Sequence, residues 1–389
     1  MKKILCILII FLIVCHVFAH VKLQQVKVVN NLKAPKEGSG QYLLKEELSI
    51  GENGDDNNHY FSKISALYVD SHENIYLIEG NERQVRVFDK SGKFLRKFGR
   101  KGRGPGEWIY PTYVYVKDSV IYVVDGGNIK ISRYDLNGRF LTDLRVDVGA
   151  IPGAIFIDTA GDYIIFCIKI TVNGDRCKIV KINTEGEVIS ESESMPWQKR
   201  EFVSTDKGTV GIPSPFAPSG YISYNENTDC IYYGFSDKYA ISVFDVDFNK
   251  IMIIKKHSPY VKISGSDKSG YINSYMEKGR SKHKEEFYKW RKRYIKFPSN
   301  HPFFDGIWVN DKEYLLVKRI TSDKKVHLDV FNKDGIYIRE IILSPPDDDI
   351  VFESLFNKYT FFINNSIYSI VEDKEGAMSF KKYALIQKY

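Results

Sequence analysis

Phe88-Asp89-Lys90-Ser91-Gly92-Lys93-Phe94 is a complete turn signal: an apolar residue, Asp, two residues, Gly, one residue and a second apolar residue. The Asp side-chain oxygen opens such a turn, and Gly takes the positive φ that closes a hairpin. The pattern returns as Tyr134-Asp135-Leu136-Asn137-Gly138-Arg139-Phe140, as Ile182-Asn183-Thr184-Glu185-Gly186-Glu187-Val188 and as Phe331-Asn332-Lys333-Asp334-Gly335-Ile336-Tyr337. A degenerate copy without Gly runs from Phe244-Asp245 to Ile251. The opening Asp or Asn residues are separated by 46, 48, 62 and 87 residues. Against a base period of about 47, the last two intervals hold about 15 and about 40 extra residues, which are insertions in a regular series.

Short strand-like runs flank each turn. Ala66–Val69, Ile75–Ile78, Val85–Phe88 and Phe94–Phe98 make one set. Tyr113–Val116, Val120–Val124, Ile131–Tyr134 and Phe140–Val146 make the next. Four antiparallel strands per repeat read as a propeller blade. Five turn copies give five blades. The C-terminus supplies three strands of a sixth (Tyr359–Ile363, Ser366–Val371, Ser379–Ile386), and Tyr42–Ile50 aligns with the outer strand Phe94–Phe98. The expected fold is therefore all-β: a six-bladed β-propeller of four-stranded antiparallel blades, with Tyr42–Ile50 pairing near Phe380–Ile386 to remove an open edge. A helical insertion is expected between blades four and five.

The 389 residues are 43% hydrophobic and 14% aromatic, with 26 Tyr and 24 Phe, enough for one large packed repeat domain. Lys2 and Lys3 followed by the apolar Ile4–Phe18 and by Val17-Phe18-Ala19 read as a secretory signal cleaved after Ala19. This gives a leader at 1–19 and a propeller at 20–389, with insertions at about 195–219 and 257–302. The apolar run is short for a spanning helix. Leu12-Ile13-Val14-Cys15 has the outline of a lipobox, with Val14 where a small residue is expected. A periplasmic, secreted or envelope-associated monomer is expected, membrane-associated only if the leader is retained or lipidated. Three cysteines follow the leader: Cys167, Cys177 and Cys230. The odd count favours buried free thiols over a disulfide framework, although Cys167 and Cys177 could face each other across a hairpin.

Glu79-Gly80-Asn81-Glu82-Arg83-Gln84-Val85-Arg86-Val87-Phe88-Asp89 resembles the core of an NHL repeat, Asp-x-x-Asn-x-Arg-Val-x-x-Phe-Asp. Residues 125–135 match it with Lys130 in place of Arg, and GRKGRGPGEW at 99–108 is similar to the segment after the first blade in NHL-like six-bladed propellers exported by Bacteroidetes. Clear matches cover about 64–146; later blades lack the Asn-x-Arg pair. The resemblance implies the fold and leaves function open. Relatives of this kind include metal-dependent lyases using His from several blades, and lactone-hydrolysing propellers using carboxylates around calcium.

Several constellations are candidates for a ligand face. Arg100, Lys101 and Arg103 among four glycines suit an anion cradle, with Glu107 accepting backbone hydrogen bonds and Trp108 closing the segment. A sharp crossover between blades needs the same Gly and Pro residues. Arg83 and Lys130 occupy equivalent positions, where they rim the face or form inter-blade bridges to residues such as Asp70 or Asp125. Residues 262–296 hold eleven Lys/Arg and four acids, a local +7 equal to the formal charge of the whole chain. Within them Ser281–Ile295 reads as a helix, with Phe287, Trp290 and Tyr294 on one side and Lys289, Lys292, Arg293 and Lys296 on the other. Met195–Ser219, with four prolines, reads as a rigid loop over the same face. Histidines show no metal-binding spacing and no GxSxG occurs; Glu79, Asp125 and Glu353 are candidate inward carboxylates. The favoured function is a cofactor-free binding module for an acidic glycan, peptide or protein, and not for nucleic acid. The alternative is a lyase or lactonase-like hydrolase with calcium or zinc in a central channel.

Overall fold

The Asp89 carboxylate accepts hydrogen bonds from the amides of Ser91 (2.9 Å) and Lys93 (3.1 Å), and Gly92 takes φ +83°, so the local chemistry of the repeat forms the turn it encodes. In the degenerate copy Asp245 accepts from Asp247 and Asn249 in the same way (3.0 and 2.9 Å), and Phe248 adopts φ +65° where the other copies have Gly. The side-chain oxygen thus suffices to set the turn, at the cost of a strained Phe.

The structure is a computed structural model; it describes residues 25–51, 56–171, 174–205, 208–278, 293, 295–323, 325–344, 354–373 and 376–388. The leader and most of the predicted helix Ser281–Ile295 lie outside these residues. Among the described residues the fold is all-β with one long helix, Gly265–Lys278.

The strands fall into four-stranded antiparallel groups in chain order. The first comprises Ile64–Val69, Ile75–Glu79, Gln84–Phe88 and Phe94–Phe98, and the second Pro111–Lys117, Val120–Asp125, Lys130–Asp135 and Phe140–Arg145. The third is Ile151–Ile157, Tyr163–Lys169, Asp175–Ile182 and Val188–Glu191, and the fourth Gly220–Asn225, Cys230–Phe235, Ala240–Phe244 and Lys250–Lys256. The fifth is Phe304–Val309, Leu315–Arg319, Val326–Phe331 and Tyr337–Leu343. A sixth combines Phe361–Ile363, Ser366–Glu372 and Met378–Gln387 with the N-terminal strand Ser39–Ile50. That strand pairs antiparallel with Met378–Gln387, from Tyr42 opposite Gln387 to Ile50 opposite Phe380, as the sequence predicts. Its first residues also pair parallel with the fifth group, Ser39 opposite Glu340, so the fifth and sixth groups form one eight-stranded sheet. A second N-terminal strand, Lys27–Asn31, adds parallel to Lys250–Lys256, where no strand is expected from the residues.

The core consists of apolar clusters shared by consecutive groups. Trp108, Val85, Ile121 and Tyr134 join the first group to the second, and Ile155, Val124 and Tyr163 the second to the third. Phe166 and Tyr233 join the third to the fourth; Phe304, Ile254 and Phe331 the fourth to the fifth; Leu328, Leu343 and Val371 the fifth to the sixth. Phe380 and Tyr368 pack on Leu67 and Phe88, returning the sixth to the first. The first strands of neighbouring groups lie against one another, Ile64–Val69 against Pro111–Lys117, Pro111–Lys117 against Ile151–Ile157, and Gly220–Asn225 against Phe304–Val309.

Cys167 stands opposite Lys178 and Cys177 opposite Ile168, a one-residue offset that sends the thiols to opposite faces of their sheet. Both are buried and free, each in a different cluster, and burial pushes both thiols up to about 12.

Candidate functional site

The glycine-rich segment is a tightly filled crossover. Gly99 has φ +88°, and a Cβ there would stand 2.1 Å from the Trp108 ring. Trp108 is fully buried: its indole Nε1 donates to Ser132 Oγ (3.1 Å), and its ring meets Phe98 and Tyr134. It is therefore a core residue and offers no surface to a ligand. Glu107 accepts from the Gly104 amide (2.9 Å) and from Arg100 Nε (2.8 Å); these two contacts hold its carboxyl below the usual range. The Gly102 amide donates to the Trp108 carbonyl and the Gly106 amide to Asp143. All three glycine amides that an anion cradle would use are thus engaged within the crossover. Arg100, Lys101 and Arg103 remain exposed around it.

Arg83 and Lys130 are not equivalent, because Gln84 pairs with Glu79 as Lys130 pairs with Asp125, yet both serve the same crossover. Arg83 Nε donates to the Ile109 carbonyl (2.7 Å), and buried Lys130 Nζ binds Gly104 O (3.0 Å) and Asp143 (2.8 Å) rather than Asp70 or Asp125. Asp125 accepts from the Ile109, Tyr110 and Gly127 amides, and Glu79 from the Lys63 and Glu82 amides, so both carboxylates organise backbone. Glu353 lies outside the described residues.

The two insertions meet. Phe216 packs against Tyr271 (5.5 Å), Phe297 (6.0 Å) and His301 (4.8 Å). The first insertion is not a loop: Met195–Gln198 pairs with the third group's third strand, and Arg200–Thr205 with Gly208–Pro213 forms a hairpin. In the second, the helix Gly265–Lys278 precedes the one the sequence predicts. Ser264 Oγ accepts the Asp267 amide (3.1 Å) while Asp267 accepts the Ser264 amide (2.7 Å), a reciprocal N-terminal cap. Lys289 and Trp290 lie outside the described residues; Arg293 is exposed.

Side chains on the inner strands converge elsewhere. Tyr68 of the first group contacts Tyr115 of the second (5.2 Å) and Phe361 of the sixth (6.0 Å). Phe156 of the third contacts Tyr113 and Tyr115 (6.2 and 6.3 Å) and stacks on Tyr224 of the fourth (4.9 Å). Tyr68 and Phe156 each touch rings of two neighbouring groups. Tyr68, Tyr113, Phe156 and Phe361 are half-buried.

Glu226, on the turn after Gly220–Asn225, joins this cluster. Its side chain reaches solvent, yet enclosure by its surroundings raises its carboxyl, against the Tyr115 hydroxyl and Lys117, which lower it. Burial, then the charge of Glu226, pushes the Tyr113 and Tyr115 hydroxyls up. Among the described residues the buried Tyr115 hydroxyl makes no hydrogen bond of ordinary length. Asp229, which accepts from Tyr224 and the Thr159 amide, fixes the turn that carries Glu226. The arrangement offers flat apolar ring faces edged by hydroxyls, with a carboxyl able to accept or, when protonated, to donate. The sequence held a signal for the rings, an aromatic within several of the first strands, but none for Glu226. Among the described residues no three His, Cys, Asp or Glu side chains gather at metal-binding distance.

A family model described as "Domain of unknown function (DUF4934)" matches residues 56–211. It is not an NHL-repeat model. "Protein brain tumor" of Drosophila melanogaster is 24% identical over 125 residues, 31% of this chain and 11% of that protein. The chain thus spans about a tenth of that relative's length. Among solved structures, a protein described as exported from Bacteroides fragilis shares the fold at a TM-score of 0.51 and 12% identity, covering 93% of this chain and all of that one. A member of the DUF4221 family from Bacteroides vulgatus gives 0.48 at 12% identity, covering 90% and 100%. Virginiamycin B lyase from Staphylococcus aureus gives 0.46 at 10% identity, covering 89% and 100%.

Proposed function

We propose that the protein is an exported six-bladed β-propeller that acts as a binding module, with the axial aromatic cluster around Glu226 as the contact surface for a glycan. Six four-stranded groups sharing apolar clusters in a closed circuit support the propeller reading. The fold shared with an exported Bacteroides protein, together with the leader-like residues 1–19, supports export. The observation that carries the ligand class is the half-buried set Tyr68, Tyr113, Phe156 and Phe361 beside the raised Glu226 carboxyl. Ring faces stack on the C–H face of a sugar, and Tyr hydroxyls and Glu226 meet its hydroxyls.

The test is a glycan and peptide array with purified protein, followed by titration of the best ligand. Phe156→Ala or Tyr113→Ala should weaken binding at least about tenfold, since losing one aromatic contact costs about 1.5 kcal/mol or more. Unchanged affinity in both refutes the site. A peptide as sole ligand shifts the class and keeps the site. Stoichiometric calcium or zinc, lost together with a lyase or hydrolase activity on chelation, refutes the binding-module reading.

A further inference from the structure

Where Lys250–Lys256 runs into the long insertion, the described residues line an open depression of about 460 Å³. Its lining includes Lys238, Lys255, Lys256, His257, Tyr239 and Asn30, and no carboxylate. The size suits one small hydrophilic molecule.

The cavity is built and not incidental. Lys27–Asn31 lies parallel to a fourth group that already has its four strands, and brings Asn30 and Asn31 to the rim. Asn31 Nδ2 donates to Gly335 O (2.9 Å) and its Oδ1 accepts the Tyr337 amide (2.8 Å), tying the rim to the fifth group. Beneath the floor, Asp329 is fully buried and accepts from Tyr337 (2.8 Å), Tyr239, Lys256 Nζ (3.0 Å) and Arg319 Nε (3.3 Å to Oδ2). Arg319 also pairs with Glu340, which accepts from His327 Nδ1 (2.9 Å).

Asp329 therefore has its charge answered inside the fold, and no negative group reaches the cavity. Among the described residues, exposed Lys238 and Lys255 have no ion-pair partner, and they leave the mouth cationic. Burial holds the Lys256 ammonium below its usual value despite Asp329, so an anion arriving above it favours the charged form.

We infer that this cavity binds the carboxylate or phosphate group of a small hydrophilic ligand, at a site separate from the axial aromatic cluster. Free anions and lipid headgroups share this chemistry, so the experiment uses both. Calorimetric titrations at low ionic strength, where screening is weak, would use digalacturonate, inorganic phosphate, neutral lactose and vesicles with and without phosphatidylglycerol. Saturable binding of digalacturonate or phosphate, absent for lactose, is expected. The double variant Lys238→Glu/Lys255→Glu, on exposed positions that leave the core intact, should weaken it at least about tenfold while unfolding at the wild-type temperature. Tighter binding of phosphatidylglycerol vesicles that is lost in the same variant assigns the anion to a lipid headgroup. The inference is overturned if no anion binds saturably, or if the double variant binds as tightly as wild type. Phe156→Ala reports separately on the axial cluster, so failure here leaves that reading standing.

Discussion

Replacing Gly99 with Ala tests the packing of the crossover directly. The new Cβ would lie 2.1 Å from Trp108 Cζ3 and 2.3 Å from Cη2, on a backbone at φ +88°. Trp108 cannot retreat, because its Nε1 is held by Ser132 and its ring by Phe98 and Tyr134. A non-Gly residue in the left-handed region costs about 1–2 kcal/mol. Overpacking a filled core costs about 1–3 kcal/mol more. The expected loss is therefore about 2–5 kcal/mol, read from equilibrium urea unfolding followed by circular dichroism. The two parts separate in a double-mutant cycle. In a Trp108→Leu background the clash is relieved and only the backbone part, about 1–2 kcal/mol, should remain. A loss below about 1 kcal/mol for Gly99→Ala, or an equal loss in both backgrounds, refutes the argument.

Leu44→Pro breaks the pairing of Leu44 with Leu385 inside the eight-stranded sheet; it should cost about 3 kcal/mol or more and expose the C-terminal strand to limited proteolysis. Glu340 is held at about 2, chiefly by His327 and also by Ser39 and Arg319, whereas its ordinary value is 4.5. A depressed acid stabilises the fold above its unfolded value and loses that contribution as pH falls, so stability should drop between about pH 4.5 and 2. The gap corresponds to about 3 kcal/mol, and Glu340→Gln should flatten that limb of a melting-temperature profile. Cys167 and Cys177, buried and pushed up to about 12, should resist a thiol reagent such as dithionitrobenzoate in the native state and react on unfolding. Rapid native labelling of both would contradict their placement.

The turns were legible because their chemistry is local: Asp89, Asp135, Asn183 and Asn332 each carry the oxygen that makes the turn, and Asp245 makes it without Gly. The pairing of Ser39–Ile50 was legible because the C-terminal group visibly lacked a strand. Lys27–Asn31 was not, since a parallel strand added to an outer edge leaves no mark on its partner. The hairpin within 200–213 was hidden by prolines at 196, 213, 215 and 218, which read as a loop although they fall at strand ends or outside. For the ligand face, the sequence sets Arg83 and Lys130 as equivalents, but Gln84 pairs with Glu79 as Lys130 pairs with Asp125, and the positive φ falls on Arg83 and Ile129, so the two are one position out of step. The Ile109 carbonyl and Asp143, 26 and 13 residues away, hold them inward. The clustered rings are scattered in sequence between Tyr68 and Phe361 and meet only when their groups pack together.

The strand Ser39–Ile50 also sets an order of events. Its antiparallel partner lies more than three hundred residues later, Tyr42 against Gln387, so one of the earliest strands made waits for the last. Closing so long a loop is entropically expensive and slow. Until the C-terminus arrives, the other groups can form from neighbours in sequence, while this strand has open edges. Folding should therefore end in a late closing step whose rate falls with any truncation of residues 378–387. A stalled or clipped chain would display an unpaired strand to other chains, so the same device that seals the finished molecule marks an unfinished one as prone to aggregate.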